Sequence, residues 1–158
     1  PLSAHPVSPC STLEQLQQGP AARRTVAAGA RHTLQIGVEG QALSSGDSAL
    51  YEEGECFVGH LGLANEWGAA VMTPTPVRFP EQRIDVVEVA AGNLHSLFLS
   101  REGCVWSCGG GWEGPLGHGD AGSLAVPRRI RALASVRISQ IAAGDVHSLA
   151  LSASGDVW

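Results

Sequence analysis

Val89-Ala-Ala-Gly-Asn-Leu-His95-Ser-Leu97 is the stretch on which the reading of this chain turns. It returns as Val26-Ala-Ala-Gly-Ala-Arg-His32-Thr-Leu34 and as Ile141-Ala-Ala-Gly-Asp-Val-His147-Ser-Leu149. Each copy runs aliphatic, Ala, Ala, Gly, two variable residues, His, a hydroxyl residue and Leu. A match in both type and order marks an internal repeat. The glycines Gly29, Gly92 and Gly144 stand 63 and 52 residues apart. A second glycine follows every histidine (Gly40, Gly103, Gly155), and short strand-like runs come next. Farther on, Gly59-His60-Leu61-Gly62 answers Gly114-Pro115-Leu116-Gly117, and Pro76-Val77-Arg78-Phe79 is matched with Pro127-Arg128-Arg129-Ile130. The extra length of the longer repeat falls between Gly46 and Gly59 and between Asn65 and Pro76. Such insertions mark loops on a fixed scaffold.

Between the glycines the hydrophobic period is two, with Leu97 and Leu99 alternating against Ser96 and Ser100, and Leu149 and Leu151 against Ser148 and Ser152. That is a strand period. It predicts strands over 25–28, 32–36, 41–45, 77–79, 86–90, 95–99, 104–108, 128–130, 138–142, 147–151 and 156–158. Repeats of more than about 50 residues with four short strands each are the signature of propeller blades, whose core forms only when neighbours stack. The helix signal lies ahead of the repeats. Ser11-Thr12-Leu13-Glu14 has capping-box form and Gly19-Pro20 supplies a stop, predicting a short helix over 12–18 within a leader over 1–21.

Composition removes several function classes. All ten basic residues are arginine against fifteen acids, for a net charge of −5. A face able to neutralise many phosphates would need strong segregation of charge, and Arg128, Arg129, Arg131 and Arg137 read as a solvated strand edge or loop. No clear nucleic-acid site is expected. No apolar run approaches the roughly 18 residues of a membrane span. Cys10, Cys56, Cys104 and Cys108 are too sparse for a disulfide framework, which favours an intracellular setting: cytoplasm, nucleus or an organelle.

Residues 89–103, together with Val105-Trp106-Ser107-Cys108-Gly109 and Gly114-Pro115-Leu116-Gly117-His118-Gly119-Asp120, resemble the repeat of the regulator-of-chromosome-condensation (RCC1) family. The resemblance covers residues 22–158, divided as 22–80, 81–132 and an incomplete 133–158. It implies an all-β fold, an RCC1-type β-propeller represented here by about two and a half four-stranded blades of a seven-bladed ring. The remaining blades are then expected from a longer chain or a second chain. The family includes Ran exchange factors, ultraviolet-B photoreceptors and adaptors, so the motif specifies a fold more than a task. Photoreceptor members place Trp and Arg between the motif Gly and His. Here those places hold Ala30-Arg31, Asn93-Leu94 and Asp145-Val146, which supply no tryptophan cluster. Exchange factors place an acid directly before a motif His, whereas this chain has Arg31, Leu94 and Val146.

Gly109-Gly110-Gly111-Trp112-Glu113-Gly114 fits a dinucleotide-binding pattern, but Pro115, Gly117 and Gly119 leave no helix to hold a pyrophosphate. No cofactor is expected. His32, His95 and His147, with Gly29, Gly92 and Gly144, form the structural repeat motif, and the imidazole and following hydroxyl are expected to bond backbone at the strand start. Successive blades spread these histidines apart, so neither a metal site nor a catalytic triad is predicted. Cys104 and Cys108 lack a second ligand pair. The partner-contact candidates are Tyr51, Glu52, Glu53 and Phe57 in the insertion over 47–58, Trp67 in the loop over 65–75, and Trp112. The sequence therefore predicts a noncatalytic scaffold that binds protein partners through its blade loops. The alternative is guanine-nucleotide exchange on a small Ran-like GTPase.

Overall fold

Alternating apolar side chains and left-handed glycine turns organise the chain into antiparallel hairpins. The computed structural model describes residues 23–47, 51–52, 55–56, 59–64, 70–81 and 83–158. The expected leader and its helix at 12–18 lie outside the described residues. In chain order the strands are β1 (Val26–Ala28), β2 (His32–Ile36), β3 (Ala42–Gly46), β4 (Tyr51–Glu52), β5 (Glu55–Cys56), β6 (Val71–Pro76), β7 (Val86–Ala91), β8 (His95–Ser100), β9 (Val105–Gly109), β10 (Leu124–Arg129), β11 (Ile138–Ala143) and β12 (Ser148–Ser152). A 3-10 turn, Arg131–Leu133, leads from the second sheet toward the third.

The first sheet has the order β1-β2-β3-β6 and the second β7-β8-β9-β10, both antiparallel throughout. The third is represented by β11 paired with β12 and by a bridge between Leu151 and Val157. One turn recurs in all three. The amide of Gly40, Gly103 or Gly155 donates to the carbonyl three residues back at 3.0, 3.0 and 3.1 Å, and each glycine has φ between 78° and 96°. That left-handed backbone is open to glycine at little cost.

The sheets stack face to face as successive blades of a β-propeller. Leu34 and Ala42 of the first sheet meet Val86, Val89, Phe98 and Trp106 of the second. The opposite face of the second sheet, through Ala90, Leu97, Leu99 and Val105, meets Ile138, Ile141 and Ala150 of the third. Every residue of β8 and β9 is consequently buried. Phe79 wedges edge-on against both Phe98 and Trp106, with ring centroids 5.3 and 5.6 Å apart.

The inner hairpins fall within a residue or so of the predicted ranges, but the fourth strands do not. They occupy Val71–Pro76 and Leu124–Arg129 instead of 77–79 and 128–130. The cause is the pairing of repeats. Val77 N–H donates to Ala42 O at 2.9 Å, as Ile130 N–H does to Val105 O at 2.9 Å, so Val77 corresponds to Ile130 and Pro74 to Pro127. Matching Pro76 with Pro127 displaced the alignment by two residues. The segment expected as a strand over 156–158 contributes the single bridge at Val157. The insertion over 47–58, expected as a loop, contains the two-stranded β4–β5 hairpin.

Candidate functional site

The three motif segments are built alike. Gly29, Gly92 and Gly144 donate their amides to the carbonyls of His32, His95 and His147 at 2.8, 2.9 and 2.9 Å, folding the two variable residues into a tight loop. A Cβ on Gly92 would stand 2.6 Å from His95 Nδ1, so the ring occupies space that only glycine leaves.

The rings then reach across the blade junctions. His32 Nε2 lies 2.7 Å from Ser96 Oγ, and His95 Nε2 lies 3.0 Å from Ser148 Oγ. Each serine hydroxyl donates to a carbonyl of the preceding repeat, Ser96 to His60 O at 2.5 Å and Ser148 to Pro115 O at 2.7 Å. With its proton committed to the carbonyl, the serine accepts from the imidazole, which assigns the Nε2–H tautomer to both rings. Both rings thus bond the next repeat's serine, His95 bonds the His147 backbone as well, and each serine in turn bonds backbone. Burial, reinforced by His60 and His95, holds His32 down to about 3, and burial holds His95 down to about 4. Both rings are neutral at pH 7. Among the described residues no three His, Cys, Asp or Glu side chains gather as a metal site.

A second set of bonds ties the Gly-x-Leu-Gly loops to the third strands. Ser44 Oγ donates to Leu61 O at 2.6 Å and Ser107 Oγ to Leu116 O at 2.8 Å. His60, a residue the sequence reading did not single out, is buried with its ring 4.9 Å from that of His32, and its Nε2 lies 2.5 Å from Asp47 O. It therefore fastens the root of the insertion over 47–58. The available signal was the position of His60 inside the repeated Gly-x-Leu-Gly.

The insertion and the loop bearing Trp112 leave from equivalent strand ends. Asp47 N–H bonds Arg31 O at 3.0 Å, and Gly110 N–H bonds Leu94 O at 2.7 Å. The roots of both loops therefore lie on one rim of the stacked sheets. Tyr51 pairs with Cys56 and Glu52 with Glu55 in the β4–β5 hairpin. Trp112 is 45% exposed and, with Leu94, Pro115 and Val146, lines a small recess of about 40 Å³. Glu53, Phe57 and Trp67 lie outside the described residues. After Gly109 the chain runs through turns up to β10, with no helix behind the glycines. Cys104 and Cys108 are free thiols, and burial pushes the Cys108 thiol well up.

A model of the "Regulator of chromosome condensation (RCC1) repeat" matches residues 102–151, and a second model of the same description matches residues 86–111. The ultraviolet-B receptor UVR8 of Arabidopsis thaliana is 33% identical over 85% of this chain and 28% of its own length. The human E3 ubiquitin-protein ligase HERC2 is 36% identical over 71% of this chain and 2% of its own length. The structure of yeast RCC1 (Prp20) bound to Kap60 superposes with a TM-score of 0.66 at 24% identity, over 84% of this chain and 30% of that one. The chain thus spans less than a third of the length of each. No helix among the described residues is long and apolar enough to cross a membrane.

Proposed function

From the premise that this chain is built of RCC1 repeats and belongs to that repeat family, we propose that it acts as a noncatalytic scaffold holding protein partners on one rim of the blades. The observation that carries this reading is the common origin of the 47–58 insertion and the Trp112 loop at equivalent strand ends. A rigid stack fixes the roots of both loops, and aromatic residues carried by such loops suit a protein interface. Shared repeats do not carry shared chemistry. Relatives as different as a light receptor and a ubiquitin ligase match this chain.

Replacing Tyr51, Phe57 and Trp112 together by Ala tests the reading. Partners retained by the wild-type protein should be lost from the variant while its thermal unfolding is unchanged, and retention of the same partners would overturn it. Nucleotide exchange is separated by the same preparation. Catalytic amounts that speed release of a fluorescent nucleotide from a Ran-like GTPase would replace the scaffold reading by exchange activity.

A further inference from the structure

On the rim where both loops are rooted, the second and third blades meet around the recess beside Trp112. Leu94, Trp112 and Pro115 come from the second repeat, and Asp145 and Val146 from the third. Two bonds hold the sides of the recess together. Asn93 N–H donates to Asp145 O at 3.3 Å, and Ser148 Oγ donates to Pro115 O at 2.7 Å. Trp112 and Val146 nonetheless stay 45% and 46% exposed, which leaves an indole ring and an aliphatic side chain open to solvent at one fixed place. The volume of about 40 Å³ is far below the roughly 300–1,000 Å³ of small-molecule pockets, so the recess suits a single side chain.

Charge selects which side chain that is. Glu113 and Asp145 line the recess, and neither belongs to the three ion pairs among the described residues, Arg31–Asp47, Arg101–Asp85 and Arg128–Asp120. No arginine lines it, and its buried His95 is neutral at pH 7. In the first repeat the chain supplies its own cation at the residue before the motif histidine, Arg31, which pairs with Asp47 at 3.4 Å. In the second repeat Leu94 stands in that place. An acidic side chain is repelled here, and a planar guanidinium both stacks on an indole and offers several N–H groups to carboxylates. We propose that the recess anchors an arginine of a partner protein, its aliphatic stem packed on Trp112 and Val146 and its guanidinium held by the indole face and the carboxylates of Glu113 and Asp145. The anchor rests on the scaffold reading and narrows the partner to one that presents an exposed arginine.

The test titrates the 158-residue chain with the capped peptide acetyl-Gly-Arg-Gly-amide and with its citrulline counterpart, which keeps the shape and removes the charge. The Val146 methyl resonances and the Trp112 indole resonance, assigned through Trp112→Leu, should shift and saturate with the arginine peptide. The arginine δ-methylene protons should move upfield under the indole ring current, and the citrulline peptide should bind about fivefold more weakly. Trp112→Leu keeps apolar cover and removes the π face, so binding followed at the Val146 methyls should weaken roughly two- to fivefold. Glu113→Gln with Asp145→Asn should weaken it about fivefold while leaving thermal unfolding unchanged. Equal binding of the two peptides, or unchanged arginine binding in the Glu113 and Asp145 double variant, would overturn the anchor. If the arginine peptide does not bind while partners are still lost from the Tyr51, Phe57 and Trp112 variant, the anchor falls and the rim reading stands. If the peptide binds while those partners are retained, the recess is an arginine site and the rim reading falls.

Discussion

Ser96 makes two bonds at once, accepting from His32 in the first repeat and donating to the His60 carbonyl. Ser96→Ala removes both, leaving the buried His32 N–H without its partner and the His60 carbonyl with only the weak Cys108 thiol at 3.9 Å, which should cost about 1–3 kcal/mol. Thr33 is the equivalent residue of the first repeat and is only partly buried. Thr33→Ala should therefore stay within about 0.5 kcal/mol of wild type. Paired urea titrations read the difference, and equal losses would show that the staple adds nothing. The residues of this device were legible in the sequence, because histidine and the following hydroxyl recur in register. Their pairing was not, since it links residues 64 positions apart and depends on how one blade lies on the next. The role of His60 was hidden for a related reason: its counterpart, Pro115, contributes the same carbonyl but has no imidazole to fasten an insertion.

The same repeated position has different energetics in different blades. Leu34 and Leu97 are 0% and 1% exposed, whereas Leu149, their counterpart in β12, is 47% exposed. Leu97→Ala should cost about 2–5 kcal/mol through lost transfer and a residual cavity. Leu149→Ala should cost under about 1 kcal/mol, the penalty of a half-exposed position. Thermal unfolding of the two variants compares them directly, and a Leu149 loss as large as that of Leu97 would mean that this face is covered in solution. Strands such as β8 announced themselves through apolar alternation. The fourth strands could not, because β6 reads Val-Met-Thr-Pro-Thr-Pro and is mostly exposed. Proline is tolerated on such an edge, and with little apolar pattern to set the register, nothing in the sequence distinguishes Pro74 from Pro76 as the counterpart of Pro127.

At the scale of the whole stack, the two blade junctions share one electrostatic condition, which makes their stability depend on pH. Each junction holds a neutral imidazole as donor to a serine, His32 with His60 and His95 close by and His95 beside His147 and Asp145. Both rings titrate near 6.5 when unfolded, but at about 3 and about 4 when folded. Above pH 6.5 neither state binds the extra proton and the full stability is present. As the pH falls below 6.5 the unfolded chain protonates first, so stability is lost until the folded rings also titrate, at about 4 for His95 and about 3 for His32. The loss approaches about 1.4 kcal/mol per pH unit for each ring in that window. Urea midpoints at pH 7.0, 5.5 and 4.5 should therefore decline steadily. The double variant His32→Gln and His95→Gln keeps an amide N–H for each serine but cannot titrate. Its midpoints should decline less steeply, by the share that the two rings contribute. If wild type and double variant change in parallel with pH, other groups govern acid unfolding and the junction histidines do not. A difference confined to pH below 6.5 places the proton uptake at the blade junctions.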